Sequence, residues 1–273
     1  MQMQMQTLAL REELVTRAKS LKLLPTLSTV IDKVFKLLND GDSSFNELTE
    51  VLKNDQAISS KIISISNSAY YSRGVKVVSM QRAMIAIGFD EIKNIVTCLA
   101  FLDGILKNLK LREEDLKTLW RHSLSVACAA KTISLATLVE DPEKVFTAAL
   151  LHDVGKVILY AHSPDYRQTL EQARARGADP CGDERGRFGT DHQEIGYYMA
   201  VKWRFPEEFC KVIRYHHRPR NFADREVLLG IVGTADCFVE FPDSDLGVEG
   251  IILMREKQRI DAEIERISEL VGV

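Results

Sequence analysis

Apolar residues recur at helical spacing through the first half of the chain, where alternating strand patterns are almost absent. The apolar stripes predict helices over residues 8–20, from about 26 to 38, over 44–52, through 58–65, over 79–87 and from 90 to roughly 108. Asp40 and Gly41 end the second of these helices, and Ser44 with Glu47 forms a capping box for the third. We therefore expect this half to be a helical bundle.

The second half shows the same spacing. It predicts helices over 116–135, from Asp141 to His152, after Ser163-Pro164, from Thr190 onward, from 205 to 217, over 227–239 and over 249–273. Asp141, Pro142 and Glu143 form a typical helix start, and Gly155 suits a bend after His152 and Asp153. The stretch 177–189 is glycine-rich and predicts either a mobile loop at the mouth of a site or a plain solvated connection. The last helix is amphipathic and charged, and packing on the body is favoured over dimerisation.

Composition narrows the class of protein. Hydrophobic residues make up 45% and charged residues 27% of the 273 residues, and the net charge is −3, so neither nucleic acid nor an anionic membrane is an expected partner. The five cysteines lack C-x-x-C spacing, which favours a reducing compartment over a disulfide framework or a zinc knuckle. The N-terminal residues do not resemble a signal peptide, and no apolar run is long enough to span a bilayer. A cytoplasmic protein is expected.

Several ionisable side chains stand at apolar or helix-end positions, where burial without a partner is costly. They are His122, His152, Asp153, His192, His216, His217 and Asp236. Asp236 interrupts an otherwise apolar helix, so it needs a buried cation or dense hydrogen bonding. Taken alone, His122 fits a core histidine with a backbone partner, and His192 fits an exposed residue in the first turn after a capping box at residues 190–193. Together, imidazoles and carboxylates form a mixed nitrogen and oxygen set that suits Mn, Fe, Zn or Ni.

Several motifs carry a family resemblance. Leu151-His152-Asp153-Val154-Gly155-Lys156 resembles the signature of the HD superfamily, whose members include metal-dependent phosphohydrolases. Further motifs resemble the HDOD family, the HD-related output domain of bacterial signalling proteins; they are Asn54-Asp55-Gln56-Ala57-Ile58, Asn67-Ser68-Ala69-Tyr70, Ala83-Met84-Ile85-Ala86-Ile87-Gly88, Trp120-Arg121-His122-Ser123 and His216-His217. The resemblance covers about residues 20 to 240. It implies an all-α fold, a multi-helix HD-like bundle with an N-terminal helical subdomain.

The expected organisation is an N-terminal helix over 1–20, an N-terminal helical HDOD subdomain over 21–110, an HD-like helical subdomain over 111–245 and a C-terminal helix over 246–273, together one HDOD module. By resemblance, His122, His152, Asp153 and Asp236 would hold one divalent ion. His192 with His216 or His217 would hold a second, with Asp153 able to bridge. Lys156 would contact phosphate, although the interpretation as a surface lysine after the helix is nearly as well supported. Asp153 and Lys156 are the predicted catalytic residues.

Three functions remain open at this point. The HDOD resemblance implies a regulatory protein in bacterial signal transduction that contacts a signalling partner. Many members lack part of the metal set, whereas this chain keeps a side chain at each expected ligand position, so a metal-dependent phosphohydrolase acting on a nucleotide or another phosphoester is the alternative. The segment after His217 lacks the Gly-Tyr-Pro expected of cyclic-di-GMP hydrolases. A purely structural metal site is the third possibility.

Overall fold

A computed structural model describes residues 2–21, 52, 56–68, 71, 76–99, 101, 109, 111–217 and 226–273. Within these residues the fold is all-α, as predicted. Its helices are α1 Gln2–Ser20, α2 Gln56–Ser66, α3 Met80–Ile87, α4 Phe89–Leu99, α5 Glu113–Thr137, α6 Pro142–Leu151, α7 Lys156–His162, α8 Tyr166–Ala175, α9 Pro180–Phe188, α10 His192–Lys202, α11 Glu207–Tyr215, α12 Val227–Glu240 and α13 Gly247–Val271. The helices predicted near 26–38 and over 44–52 lie almost entirely outside the described residues, as do Asn54, Asp55, Ala69 and Tyr70.

The long helix α5 is the centre of the bundle, because α6, α12 and α13 all pack against it. Its buried face carries both large and small apolar side chains, including Leu119, Trp120 and Ala127. Three acids, Glu113 to Asp115, occupy its first turn, where they interact favourably with the positive end of the helix dipole. They extend the helix beyond the predicted start at residue 116.

The turn from α5 to α6 determines where His152 and Asp153 lie in the fold. Leu138 ends α5 in the left-handed conformation with φ 57°. Asp141 then caps α6, since its carboxylate accepts the backbone N–H of Lys144 at 2.7 Å, which confirms the predicted start. α6 runs back along α5 and ends at Leu151, so His152 and Asp153 face the middle of α5.

The C-terminal helix α13 packs along α5, as expected from its apolar stripe. The indole of Trp120 donates to the Ser268 hydroxyl at 3.2 Å. Near the same end, the Arg266 guanidinium donates to Glu91 of α4 at 2.5 Å and to the Tyr71 hydroxyl at 2.6 Å. Arg266 therefore links α13 to the N-terminal half of the chain.

Three local predictions were wrong. The glycine-rich stretch forms α9 in place of a loop: Asp179 caps this helix by accepting from the backbone N–H of Cys181, and Gly189 ends it with φ 73°. α8 begins at Tyr166, after Asp165, and Ser163-Pro164 does not cap it. The cap of α10 is Asp191, which accepts from the backbone N–H of Glu194 at 2.7 Å, one residue later than the predicted box.

Among the helices in the described part of the chain, none combines the length and the apolar character needed to cross a lipid bilayer.

Candidate metal centre

The seven predicted ligand residues meet in one buried cluster. His122 comes from the middle of α5, His152 and Asp153 follow α6, His192 opens α10, His216 and His217 follow α11, and Asp236 lies in α12. Their side chains are at most 12% exposed, and those of His152, Asp153, His192 and His216 are fully buried. His122 and Asp236, which are 114 positions apart in the sequence, thus share one site.

A first group of ligand atoms consists of the Nε2 atoms of His122 and His152 with one oxygen from each carboxylate. The two Nε2 atoms are 3.3 Å apart. Asp153 Oδ2 lies 3.1 Å from His122 Nε2 and 3.3 Å from His152 Nε2. Asp236 Oδ1 lies 3.2 Å and 3.5 Å from the same two nitrogens.

A second group forms on the other side of Asp153. Its Oδ1 lies 3.3 Å from His192 Nε2 and 3.6 Å from His216 Nε2. Those two nitrogens are 3.3 Å apart, and His217 Nε2 is 3.1 Å from His192 Nε2. His217 also approaches Asp236, with Nδ1 3.4 Å from Oδ2. Asp153 therefore stands between the two groups, with one oxygen toward each.

Outer hydrogen bonds fix which ring nitrogens face inward. His152 Nδ1 donates to the main-chain oxygen of Ala149 at 2.6 Å, and His216 Nδ1 donates to that of Val212 at 3.1 Å. His192 Nδ1 donates to Glu184 Oε2 at 2.7 Å. Since Nδ1 carries the proton in each case, the Nε2 lone pair is directed into the cluster, which is the usual arrangement of metal-ligating histidines.

The donor set fits a bound cation. Asp153 Oδ1 and Asp236 Oδ1 are buried and accept no hydrogen bond from the described residues, although each faces imidazole nitrogens. Bringing several lone pairs within 3.6 Å of one another is unfavourable unless a proton or a cation lies between them. Ligands at roughly 2.0–2.2 Å from a tetrahedral ion lie roughly 3.3–3.6 Å apart. The distances in the two groups, from 3.1 Å to 3.6 Å, are close to this range. Ions of Mn, Fe, Zn or Ni suit such a mixed set of nitrogen and oxygen ligands.

Without a metal, protons hold the cluster together. Burial opposes a charge on His152, but the carboxylates of Asp153 and Asp236 outweigh it and raise the pKa of His152 to about 10. Burial alone would favour the neutral acid at Asp153, yet His152 and Lys156 hold its pKa well below the usual range. Against the effect of burial, His122 and His152 likewise hold the pKa of Asp236 well below the usual range, so both carboxylates are anionic at neutral pH and available to a cation.

Lys156 is buried in the first turn of α7, so the reading of a surface lysine is wrong. Its ammonium contacts Asp153 Oδ2 directly. Burial opposes the charge, but the neighbouring Asp153 carboxylate more than offsets it and raises the pKa of Lys156 above its ordinary value. A permanent positive charge therefore stands beside the first group of ligands.

Gly155 lies in the turn between α6 and α7, as predicted, but its φ of −66° is right-handed, a conformation that any residue adopts, so the turn itself does not require a glycine. The glycine is required because α7 and α10 cross closely at Gly155 and Gly196. This crossing brings Asp153 against His192.

Two functional candidates escaped the sequence prediction. Glu184 is fully buried in α9 and accepts from His192, but its surroundings were interpreted as a loop and gave no signal. Glu240 Oε1 lies 3.4 Å from His122 Nδ1. It follows Asp236 by four residues on α12, a spacing that places both on one helix face and could have revealed it.

A cavity of about 300 Å³ reaches the first group from outside. The predicted metal ligand His122 lines it, together with Lys156 and Glu240. Its walls combine apolar and phenolic side chains with both bases and acids, from Leu119, Tyr160, Arg167, Leu170, Arg174 and Pro180 and from Asp115 and Glu171. A small molecule can therefore reach the cluster from solvent on the side of His122.

Comparison with known proteins gives the family. The sequence profile of the HDOD domain matches residues 24–219. The chain belongs to the HDOD domain family. An uncharacterized protein of Treponema pallidum (strain Nichols) is 22% identical over 234 residues, which are 84% of this chain and 44% of that protein. The chain spans 44% and 49% of the length of two curated relatives that it matches, about half of each.

Solved structures share the HDOD fold. An HDOD domain protein of unknown function from Geobacter sulfurreducens is 25% identical, with a TM-score of 0.77 over 98% of this chain and 99% of that one. A candidate phosphohydrolase from Shewanella amazonensis SB2B is 23% identical, with a TM-score of 0.66 over 95% of this chain and 88% of that one. These likenesses confirm the predicted multi-helix bundle.

Proposed function

We propose that this HDOD protein holds one or two divalent transition-metal ions in the cluster and hydrolyses a small phosphoester as part of bacterial signal transduction. The observation that carries the proposal is the position of Asp153. One of its oxygens faces His122 and His152 and the other faces His192 and His216. A carboxylate that serves two groups of imidazoles is the arrangement needed to bridge two ions.

Side chains of this protein supply the remaining requirements. Bound ions of this kind polarise phosphoryl oxygens and lower the pKa of a water molecule. Lys156 lines the cavity as an ammonium and would neutralise phosphoryl charge. Burial raises the pKa of Tyr160 to about 12, so its hydroxyl keeps its proton at neutral pH and can donate to a phosphoryl or ester oxygen. Arg174 also lines the cavity with a 65% exposed side chain, and it pairs with Glu240 at 3.4 Å.

The cavity restricts the size of the substrate. A volume of about 300 Å³ is at the lower end of small-molecule sites. It suits a phosphomonoester no larger than a mononucleotide, and a cyclic dinucleotide would extend beyond it. The apolar wall formed by Leu119, Leu170 and Pro180 would pack against the organic part.

A second function is a regulator that binds metal but does not turn over substrate, with output through contact with a signalling protein. The contact of Lys156 with Asp153 Oδ2 favours it, because the ammonium supplies positive charge at an oxygen that faces the first group. If the lysine keeps this position when metal is bound, it reduces the room for a phosphoryl group.

The test begins with elemental analysis of protein purified without chelators. We expect at least about one equivalent of a transition metal, and two at full loading. Hydrolysis of p-nitrophenyl phosphate and of a panel of mononucleotides should then depend on the metal and be lost in Asp153→Ala, whereas Asp165→Ala, which replaces an exposed acid just before α8, should keep the rate. Metal without turnover would establish the regulator, and protein that binds no Mn²⁺ or Zn²⁺ contradicts both functions.

A further inference from the structure

Glu184 is a fully buried glutamate in the middle of α9, and nothing in its helix explains why it is charged. Both of its oxygens accept hydrogen bonds. Oε2 accepts from the backbone N–H of His192 at 2.8 Å and from His192 Nδ1 at 2.7 Å. Oε1 accepts from the hydroxyl of Tyr166 at 2.8 Å. The carboxylate thus fixes the main chain and the ring of His192 together.

The other ligand histidines have weaker outer partners. His152 and His216 donate to neutral main-chain oxygens in the preceding turns of the chain. His122 has a carboxylate partner in Glu240, but the Nδ1 to Oε1 distance is 3.4 Å, the Glu240 side chain is 22% exposed, and Arg174 shares it. Of these four histidines, only His192 has a buried carboxylate at short hydrogen-bond distance.

The difference changes how well each nitrogen binds a cation. A carboxylate that accepts the Nδ1 proton increases electron density at Nε2, fixes the ring orientation and selects the tautomer. The interaction is strong at Glu184 because a charge-assisted hydrogen bond is poorly screened in a buried site. His192 is also the first residue of α10, so its backbone N–H has no partner within the helix and depends on Glu184.

We propose that Glu184 is a positioning residue that makes the group around His192 and His216 the tighter of the two metal sites. This inference rests on the metal-binding part of the proposed function. Tyr166 supports the carboxylate from the opposite side, and its ring packs at a right angle on Tyr160, with centroids 4.8 Å apart. Because Tyr160 lines the cavity, the same chain of contacts joins the tighter site to the substrate pocket.

The test is a titration of the full-length metal-free protein with Co²⁺, followed by visible absorbance and calorimetry. In Glu184→Gln the side-chain shape is kept but the charge is lost, and the amide nitrogen cannot accept from His192 or Tyr166. We expect the tighter Co²⁺ site to weaken by about 10- to 100-fold, with the weaker site changed by less than about threefold. Glu240→Gln should produce the opposite pattern: the Co²⁺ site around His122 and His152 should weaken, by a smaller factor, and the site around His192 should change less.

Glu143→Gln is the matched control, since Glu143 is also buried but pairs with Lys131 at 2.8 Å and does not contact the cluster. It should leave both Co²⁺ affinities unchanged. If the wild type binds no Co²⁺, the proposed function fails. If the wild type binds Co²⁺ and Glu184→Gln binds it with the same affinities, the proposed function stands and the role of Glu184 is refuted.

A second variant covers the case in which Glu184→Gln does not fold, as judged by circular dichroism. Tyr166→Phe keeps the carboxylate and the packing on Tyr160 but removes the hydroxyl that holds Oε1. We expect the Co²⁺ affinity of the tighter site to fall by about 3- to 10-fold, near the lower end of the effects seen when a partner of a metal ligand is changed. An unchanged tight-site affinity in this variant refutes the proposal.

Discussion

The α-carbon of Gly155 lies directly against the main-chain carbonyl of His192. A Cβ built at position 155 would be 1.9 Å from that oxygen and 2.6 Å from the backbone nitrogen of Gly196. Both neighbours are backbone atoms of α10, so neither can move without displacing the helix that carries His192. Asp153 lies just before α7 and His192 begins α10. The contact between these helices therefore sets the distance between Asp153 and His192.

Gly155→Ala should destabilise the protein and impair the metal centre together. The added methyl group must separate α7 from α10, and overpacking of this kind costs about 3 kcal/mol. Urea unfolding monitored by circular dichroism should show the loss of stability, and metal analysis should show a lower content in the folded fraction. Gly186→Ala is the control, because a Cβ there meets no atom within 4 Å and alanine favours a helix by about 0.5–1 kcal/mol. Equal stability of Gly155→Ala and the wild type would show that the crossing is not tight.

The identity of the metal-ligand candidates could be predicted from the sequence because of a local conflict. Asp236 in an apolar helix, and His152 with Asp153 after one, are costly to bury without partners, and this is visible without a fold. Their pairing into two groups around Asp153 was available only through the family resemblance. It depends on how α5, α6, α10, α11 and α12 cross, which local periodicity does not specify.

The glycine-rich stretch shows where local reasoning fails. Gly182 and Gly186 predicted a loop, yet α9 forms because Asp179 caps it and its buried face, which includes Cys181 and Phe188, packs on the bundle. Tertiary burial outweighs the low helix propensity of glycine, which is about 1 kcal/mol per residue. The same error concealed Glu184, since a glutamate in a predicted loop has no reason to be buried.

Asp153 and Asp236 should have unequal roles in binding metal. Asp153→Asn alters an oxygen in each group, so metal content should fall from about two equivalents to well below one. Asp236→Asn alters the first group chiefly, since its Oδ1 faces His122 and His152, so about one equivalent should remain. Elemental analysis after dialysis measures both. Loss of both ions in Asp236→Asn, with one ion kept in Asp153→Asn, would reverse the assignment of the bridging residue.

Metal affinity should rise with pH. The pKa of His152 in the metal-free protein is raised from 6.5 to about 10, so its proton stabilises the folded state fully below about pH 6.5 and this contribution disappears as the pH rises through about 10. A cation must displace that proton, so the affinity for Mn²⁺ should increase at least about tenfold per pH unit between pH 7 and 9. Calorimetry in buffers with different ionisation enthalpies would count the released protons. His162→Ala, at the end of α7 and away from the cluster, should keep the same slope, and a pH-independent affinity would contradict the prediction.

Arg266 should contribute to stability without affecting the metal centre. Its side chain is 13% exposed and donates to Glu91 of α4, to Glu263 and to the Tyr71 hydroxyl. Arg266→Ala leaves the carboxylate of Glu91 partly buried beside Tyr71, which costs about 3 kcal/mol. Arg121→Ala, which removes an exposed ion pair between α5 and Glu265 of α13, should cost at most about 1 kcal/mol. Urea unfolding gives both values, and metal content measured on the same samples should be unchanged. A loss of metal in Arg266→Ala would mean that this link also maintains the position of α5 at His122.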